Sequence, residues 1–344
     1  MHDLPKSMLS FALATPLLGA EQALRALSPR QFGNLMLETM REASHAVRAF
    51  APGAISGSAE ELGNKLRVFT LFTYADQSIG TSRLDRRSLA ELVSRVLDLG
   101  PDDTAWTMEG LGYYWTENRD PDAFRDNLPE VCLVPLHAGL GLYLAVREID
   151  NLSRFLDLVS KYSAPGYSLV TAEALGVVAR TMYPHSLLNI ENQLNDIDRS
   201  LIAYFWHGVG RGAYFAPFNA VRSLLQPTSA LYNTVRDASD DIARRNAVSG
   251  FAWALTLVNI QMPAVIESFL CSAGANVPEQ EAFARGVSAA IAIWKRCAPE
   301  DEAIARIIDY KPAGCKTRWR SLIANPAIQG GEIQETPGEL FKCP

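Results

Sequence analysis

The chain of 344 residues carries 32 Lys and Arg against 38 Asp and Glu, a formal net charge of -6, with 48% hydrophobic and 20% charged residues. That length is ample for a sizeable core, the composition is ordinary for a soluble globular protein, and the sign of the charge offers no basic face to nucleic acid. The five cysteines, Cys132, Cys271, Cys297, Cys315 and Cys343, are odd in number, scattered and free of Cys-x-x-Cys spacing. They point to reduced thiols and a cytoplasmic setting rather than a disulfide framework or a zinc site.

Residues 1–24 read as an N-terminal arm. Ser7 to Ala14 is mildly apolar, but a single Lys6 precedes it and Pro16 interrupts its continuation, so an arm is preferred over a cleaved signal. No other segment approaches about 18 uninterrupted apolar residues, and no transmembrane helix is expected.

Ser28-Pro29 opens the first helix, with Ser28 as N-cap, and Phe32, Leu35, Met36, Met40, Ala43 and Val47 recur at helical spacing. Ala51-Pro52-Gly53 stops it, and Ser58-Ala59-Glu60-Glu61 has the pattern of a capping box for the next. Ser88 to Leu99 makes a third helix. Gly100-Pro101-Asp102-Asp103 ends that helix and caps the one carrying Trp106 and Glu109. A loop from Asn118 to Pro129 leads to a helix over Leu136 to Glu148, and residues 151–163 form another. Breaks at Ala164-Pro165-Gly166-Tyr167 and Tyr183-Pro184-His185 flank a segment with Glu173 and Gly176, and Ile190 to Phe205 follows as a helix. Pro217 and Pro227 punctuate the next region, and helices are expected over Pro278 to Cys297 and Asp301 to Tyr310.

Strand signals are poor throughout, so the expected class is all-α. One domain, residues 25–325, is expected to consist of stacked helical hairpins in a degenerate repeat, followed by an extended C-terminal tail, residues 326–344.

The chain is organised around Trp206-His207-Gly208-Val209-Gly210-Arg211-Gly212-Ala213-Tyr214-Phe215. This run is echoed by Glu109-Gly110-Leu111-Gly112, by Ala138-Gly139-Leu140-Gly141 and, distantly, by Ser249-Gly250-Phe251-Ala252. Positions i and i+2 of a helix point about 200° apart, so Gly-x-Gly thins two sides at one level and admits close neighbours on both. Each such glycine costs roughly 1 kcal/mol against alanine, which implies a packing or ligand-access reason. A phosphate-loop reading of Gly208 to Gly212 fails on context, since a helix precedes it, aromatics follow, and residues 225–235 hold no carboxylate.

If the glycine-bearing helices stack in register, Glu109, His137 and His207 approach one another as an acid–base or metal-ligating set. Their offsets from the glycines differ, and satisfied core histidines are the competing reading. The clusters Asp237, Asp240 and Asp241, and Asn195, Asp196 and Asp198, could hold magnesium and a diphosphate, or be solvated helix faces. The aromatic supply is persistent. Tyr113, Tyr143, Tyr167, Trp206 and Tyr214, with Arg211 at a polar end, can line a groove for a hydrophobic molecule or simply fill the core.

His137-Ala138-Gly139-Leu140-Gly141-Leu142-Tyr143-Leu144-Ala145 and Gly208 to Phe215 resemble two signature stretches of a family associated with enediyne biosynthetic gene clusters. Ala282-Phe283-Ala284-Arg285-Gly286 and Trp319-Arg320-Ser321-Leu322-Ile323 resemble two more in the same order. The likeness spans roughly residues 25–325. Two departures stand out: Gly166-Tyr167-Ser168-Leu169-Val170 replaces a Gly-Tyr-Gly-Phe-His type stretch, and His207 is unusual before Gly208.

The resemblance implies a polyketide pathway. The leading expectation is an accessory or tailoring protein that encloses a polyene or polyketide-type intermediate and cyclises or isomerises it. Glu109, His137 and His207 are its candidate acid–base groups, and polyketide-pathway enzymes its candidate partners. One alternative is a cyclase of terpene type acting on a prenyl diphosphate with magnesium. Another is a non-catalytic helical scaffold.

Overall fold

Segments that are apolar on every side belong inside a protein, between other elements, rather than on its surface. The computed structural model describes residues 56–76, 86–215, 229–273 and 277–343, and the glycine-bearing helices lie at its centre. The helices are α1 Ser56–Tyr74, α2 Leu89–Leu97, α3 Pro101–Asn118, α4 Glu130–Glu148, α5 Leu152–Tyr162, α6 Ser168–Met182, α7 Leu187–Asp198 and α8 Ile202–Phe215. They continue with α9 Ser229–Asp237, α10 Asp241–Val258, α11 Pro263–Ser272, α12 Gln280–Cys297, α13 Ala303–Asp309, α14 Lys316–Trp319 and α15 Asn325–Gly330. No strand occurs among the described residues, and the fold is all-α. The expected arm, the helix opened by Ser28-Pro29, the break at Ala51-Pro52-Gly53, and Pro217 and Pro227 lie outside the described residues.

Local chemistry sets the helix starts. Ser88 Oγ accepts from the Glu91 N–H at 3.2 Å while the Glu91 carboxylate accepts from the Ser88 N–H at 2.6 Å, a reciprocal cap on α2. Gly100 stands at φ 72, a conformation that disfavours side chains with a Cβ, and lets Pro101 begin α3 at once. The run expected as one helix from Ile190 to Phe205 is interrupted at Arg199–Leu201, where Asp198 accepts from the Ser200 N–H at 2.9 Å. The whole central motif therefore sits within α8, buried at every position from Tyr204 to Phe215.

Neighbours in space largely follow the chain: α1 packs on α3, α3 on α4, α4 on α6, α6 on α8, α8 on α10, α10 on α12 and α12 on α15. A further contact of α12 with α4 bends this row back on itself. Glycine sets the spacing. A Cβ on Gly210 would enter the Ala247 carbonyl oxygen, and one on Gly139 the Glu109 carbonyl oxygen. Gly110, Gly112, Gly141, Gly176, Gly208, Gly250, Gly286 and Gly330 stand equally close to carbonyl oxygens of neighbouring helices. The contacts also give direction. Glu109 faces Gly139 and Gly112 faces Leu136, so α3 and α4 are antiparallel; Glu173 faces Gly208 and Val177 faces Gly212, so α6 and α8 run parallel. The array is thus not made of hairpins throughout, and α7 supplies the return between α6 and α8.

Three expectations need correction or refinement. Residues 326–344 are not an extended tail: α15 and a turn at Gly338–Phe341 pack on the body, with Leu340 and Phe341 buried. Burying two such side chains contributes about 1.5–3 kcal/mol each, enough to hold the segment down. Cys271, at the end of α11, forms a disulfide with Cys315, which a turn at φ 27 brings to a Cα separation of 5.6 Å. Free thiols are Cys132, Cys297 and Cys343. Finally, α4 is by length and composition able to cross a membrane, but 61% of its apolar window is buried among the other helices.

Candidate functional site

Four polar side chains meet where α3, α6 and α8 come together. Arg211 on α8 donates through Nη1 to Glu173 Oε2 of α6 at 3.1 Å and through Nη2 to Glu109 Oε1 of α3. One turn earlier on α8, His207 pairs through Nδ1 with Glu173 Oε1 at 3.0 Å. A carboxylate only accepts, so the Nδ1 proton is on the ring. His207 and Glu173 have no exposed surface and Arg211 and Glu109 almost none.

The glycine contacts and these side chains coincide. Gly139 rests on the Glu109 carbonyl, Gly208 on the Glu173 carbonyl and Gly250 on the His207 carbonyl. Close helix approach at those levels is what brings the four groups within hydrogen-bond reach.

Burial pushes the Glu109 carboxyl above the usual carboxylate range; Arg211 opposes this and Glu173 reinforces it. Burial alone would lower Arg211, but Glu109 and then Glu173 more than reverse that and hold its guanidinium charged. The guanidinium lies 5.2 Å from the centre of the Trp253 ring of α10. Behind His207, Phe341 and Trp253 pack edge-on at 5.5 and 6.1 Å. Among the described residues, four buried atoms find no partner here: His207 Nε2, Arg211 Nε, Trp253 Nε1 and Ser249 Oγ.

Glu109 and Arg211 form part of the walls of two cavities. The larger, about 140 Å³, lies among α1, α3, α4, α6 and α8 and is lined mainly by apolar and aromatic side chains, including Phe69, Phe72, Trp106 and Phe215. Among the described residues, Glu109 and Arg211 are its only charged lining residues. Its threonines, Thr73 and Thr181, spend their hydroxyl protons on carbonyls of their own helices, at 3.1 Å to Phe69 O and 2.8 Å to Val177 O. The smaller cavity, about 40 Å³, lies on the other side against Trp253, Trp294 and Phe341.

The structure sorts the residues expected at the site. Glu109, Arg211 and Tyr113 line the larger cavity, and His207 joins its charged wall through Glu173. Tyr143 packs edge-on against Tyr113 at 5.6 Å and does not line the cavity. Trp206 faces elsewhere, donating Nε1 to Glu191 at 2.9 Å. Tyr214 belongs to a separate buried network: its hydroxyl accepts from Asn259 Nδ2 at 2.8 Å, and Lys65, paired to Glu61, sits 3.8 Å over its ring. Arg211 has both Nη groups committed to carboxylates, so it does not present a free fork to an anionic ligand.

His137 stands apart from the cluster. Its Nδ1 donates to the Leu133 carbonyl at 2.7 Å, its Nε2 accepts from the Ala164 N–H at 2.9 Å, and its ring stacks on Tyr167 at 4.9 Å. This is a neutral imidazole tying α4 to the loop before α6, and burial lowers its pKa to about 4. The unfolded imidazole takes up a proton near 6.5 and the folded one does not until about 4, so stability is expected to fall as pH drops through that interval. Urea unfolding of wild type and His137→Gln between these pH values checks it, the variant showing a flatter profile.

The two acidic clusters also have other work. Asp237 pairs with Arg180 at 2.7 Å, Asp240 accepts from the Ala243 N–H at 2.8 Å to cap α10, Asp241 pairs with Arg244, and Asp198 caps its turn. None of them lines the larger cavity. Among the described residues, Glu267, Cys271 and Cys315 alone are close enough to share an ion. The disulfide joins two of them, and Glu267 accepts from the Gly314 N–H and the Tyr310 hydroxyl, each at 2.6 Å.

Sequence reasoning did not single out Glu173, the residue that joins His207 to Arg211. Its signal was there: Glu173 is the one charged residue in the otherwise uncharged stretch from Ser168 to Ala179, three positions before Gly176. No protein-family model, curated protein or solved structure matches this chain. The enediyne-cluster resemblance therefore rests on its four short motifs alone.

Proposed function

We propose that this protein is a tailoring protein of natural-product biosynthesis that encloses part of a hydrophobic polyene or polyketide-type intermediate and cyclises or isomerises it by proton transfer at Glu109. The observation that carries this reading is the apolar, aromatic cavity of about 140 Å³ that ends on a buried carboxyl raised above its usual range. A dry protein cavity of about 150 Å³ accepts benzene, so the space takes one ring-sized section of a longer molecule.

The chemistry balances without a co-reactant. Protonated Glu109 gives its proton to an alkene carbon, the π pair forming the new C–H bond and leaving a cation on the ligand. Arg211, held by Glu173 and in turn by His207, stabilises the carboxylate that remains. Ring closure or a bond shift followed by loss of a neighbouring proton to Glu109 restores the acid. The pathway assignment comes from the motif resemblance, and the enzymes that supply and consume such an intermediate are the partners it entails.

Native mass spectrometry of the protein isolated from its producing host tests the reading, with organic extraction of what dissociates. Wild type is expected to carry a stoichiometric apolar molecule. Glu109→Gln is expected to retain an unconverted isomer of it. Ligand-free masses for both proteins would sink the proposal.

A further inference from the structure

Among the described residues, the cluster around Glu109 is out of electrostatic balance. Two carboxylates, Glu109 and Glu173, face one permanently charged group, Arg211, and the next titratable group, His207, already gives its Nδ1 proton to Glu173. Among the described residues, no other element around the larger cavity supplies a compensating charge. The lining residues of α1 are Val68, Phe69, Phe72 and Thr73; α4 brings Leu142 and Val146; α6 brings Val177, Val178, Thr181 and Met182. Besides Glu109, α3 adds Trp106, Tyr113 and Tyr114. None of these is a cation. A buried surplus of negative charge is costly, and it is relieved in one of two ways: a proton on the cluster, or a positive charge on whatever occupies the cavity.

The walls suit the second solution. Phe69, Phe72, Trp106, Tyr113, Tyr114 and Phe215 line the same cavity as Glu109, and aromatic faces attract organic cations. An anionic ligand finds the opposite: Glu109 on the wall and an Arg211 whose Nη groups are both taken. We infer that the larger cavity is selective for a ligand bearing positive charge beside Glu109, an organic ammonium ion being the stable form of that charge. On entry the cation takes over the compensating role of the proton, which leaves Glu109 for solvent. The inference rests on the reading of this cavity as a ligand site and adds to it the charge of the occupant. It also assigns the cluster a task in the proposed reaction, since a ligand protonated there becomes such a cation.

The test compares two probes of the same ring size, toluene and benzylammonium, by titration calorimetry of the full chain at neutral pH in two buffers of different ionisation enthalpy. Benzylammonium is expected to bind about tenfold more tightly than toluene and to release protons to the buffer, while toluene releases none. In Glu109→Gln the preference is expected to shrink to within about twofold, with toluene binding kept. Should that variant fail to fold, the difference in proton release between the two probes on wild type still decides. Equal binding of the two probes, or tighter binding of toluene, overturns the charge selectivity and leaves the cavity reading standing. Binding of neither probe overturns both.

Discussion

Replacing Arg211 by methionine is expected to cost about 3–5 kcal/mol of unfolding free energy at neutral pH, because it leaves Glu109 and Glu173 buried against each other without a cation. Urea unfolding measures the loss. Arg67 is the control: it also pairs with two carboxylates, Asp102 and Asp103, but its side chain is 50% exposed. Arg67→Met should therefore cost less than about 1 kcal/mol. Similar losses for the two variants would mean that water reaches the cluster around Arg211.

The second large effect concerns glycine. Gly210→Ala places a methyl group against the Ala247 carbonyl and 2.8 Å from the Phe251 nitrogen, both backbone atoms that cannot rotate away. The gain in helix propensity, about 1 kcal/mol, is outweighed by the separation this forces between α8 and α10. A net loss of about 3 kcal/mol or more is expected in thermal or urea unfolding. Gly63→Ala, on α1 where a Cβ meets nothing within 4 Å, should instead gain up to about 1 kcal/mol. A Gly210→Ala protein as stable as wild type would show that the helices separate freely, against the close packing described above.

Much of the fold was legible. Helix starts at Ser88 and Pro101 are local chemistry, and local chemistry is written in adjacent residues. The repeated glycines announced close helix contacts for the same reason, since their cost inside a helix demands one. The site was legible only in part. Glu109, His207 and Arg211 stand beside those glycines and were found, but the bond between Glu109 and Arg211 spans 102 positions and no spacing rule reaches so far. His137 joined the set only on the expectation that the glycine-bearing helices stack in register, although its offset from the glycines differs from those of Glu109 and His207. In space the helices meet by carbonyl-to-glycine contact, antiparallel in one pair and parallel in another, and His137 falls outside the cluster. Glu173 escaped because a lone carboxylate in an apolar helix shows its need for a partner but not the partner's identity. The C-terminal segment was misread because its Gly, Glu and Pro content outweighed two apolar residues, Leu340 and Phe341, that find a place on the body.

The row of helices has a consequence for the order in which the molecule assembles. Successive rungs are near neighbours along the chain, so each can dock on the last with little loop to close, a topology that favours rapid growth. The contact of α12 with α4 is different, because it joins segments separated by most of the row and pays a longer closure. Until it forms, the inner side of α3 and α8, where Glu109 and Arg211 meet, lacks the wall made by Trp294 and Phe341. The ion pairs can thus assemble while water still solvates them, and the desolvation falls on a late step, after the partners are in place. In stopped-flow refolding this orders two events: helix formation early, and quenching or shift of the Trp253 and Trp294 fluorescence later, as the row closes.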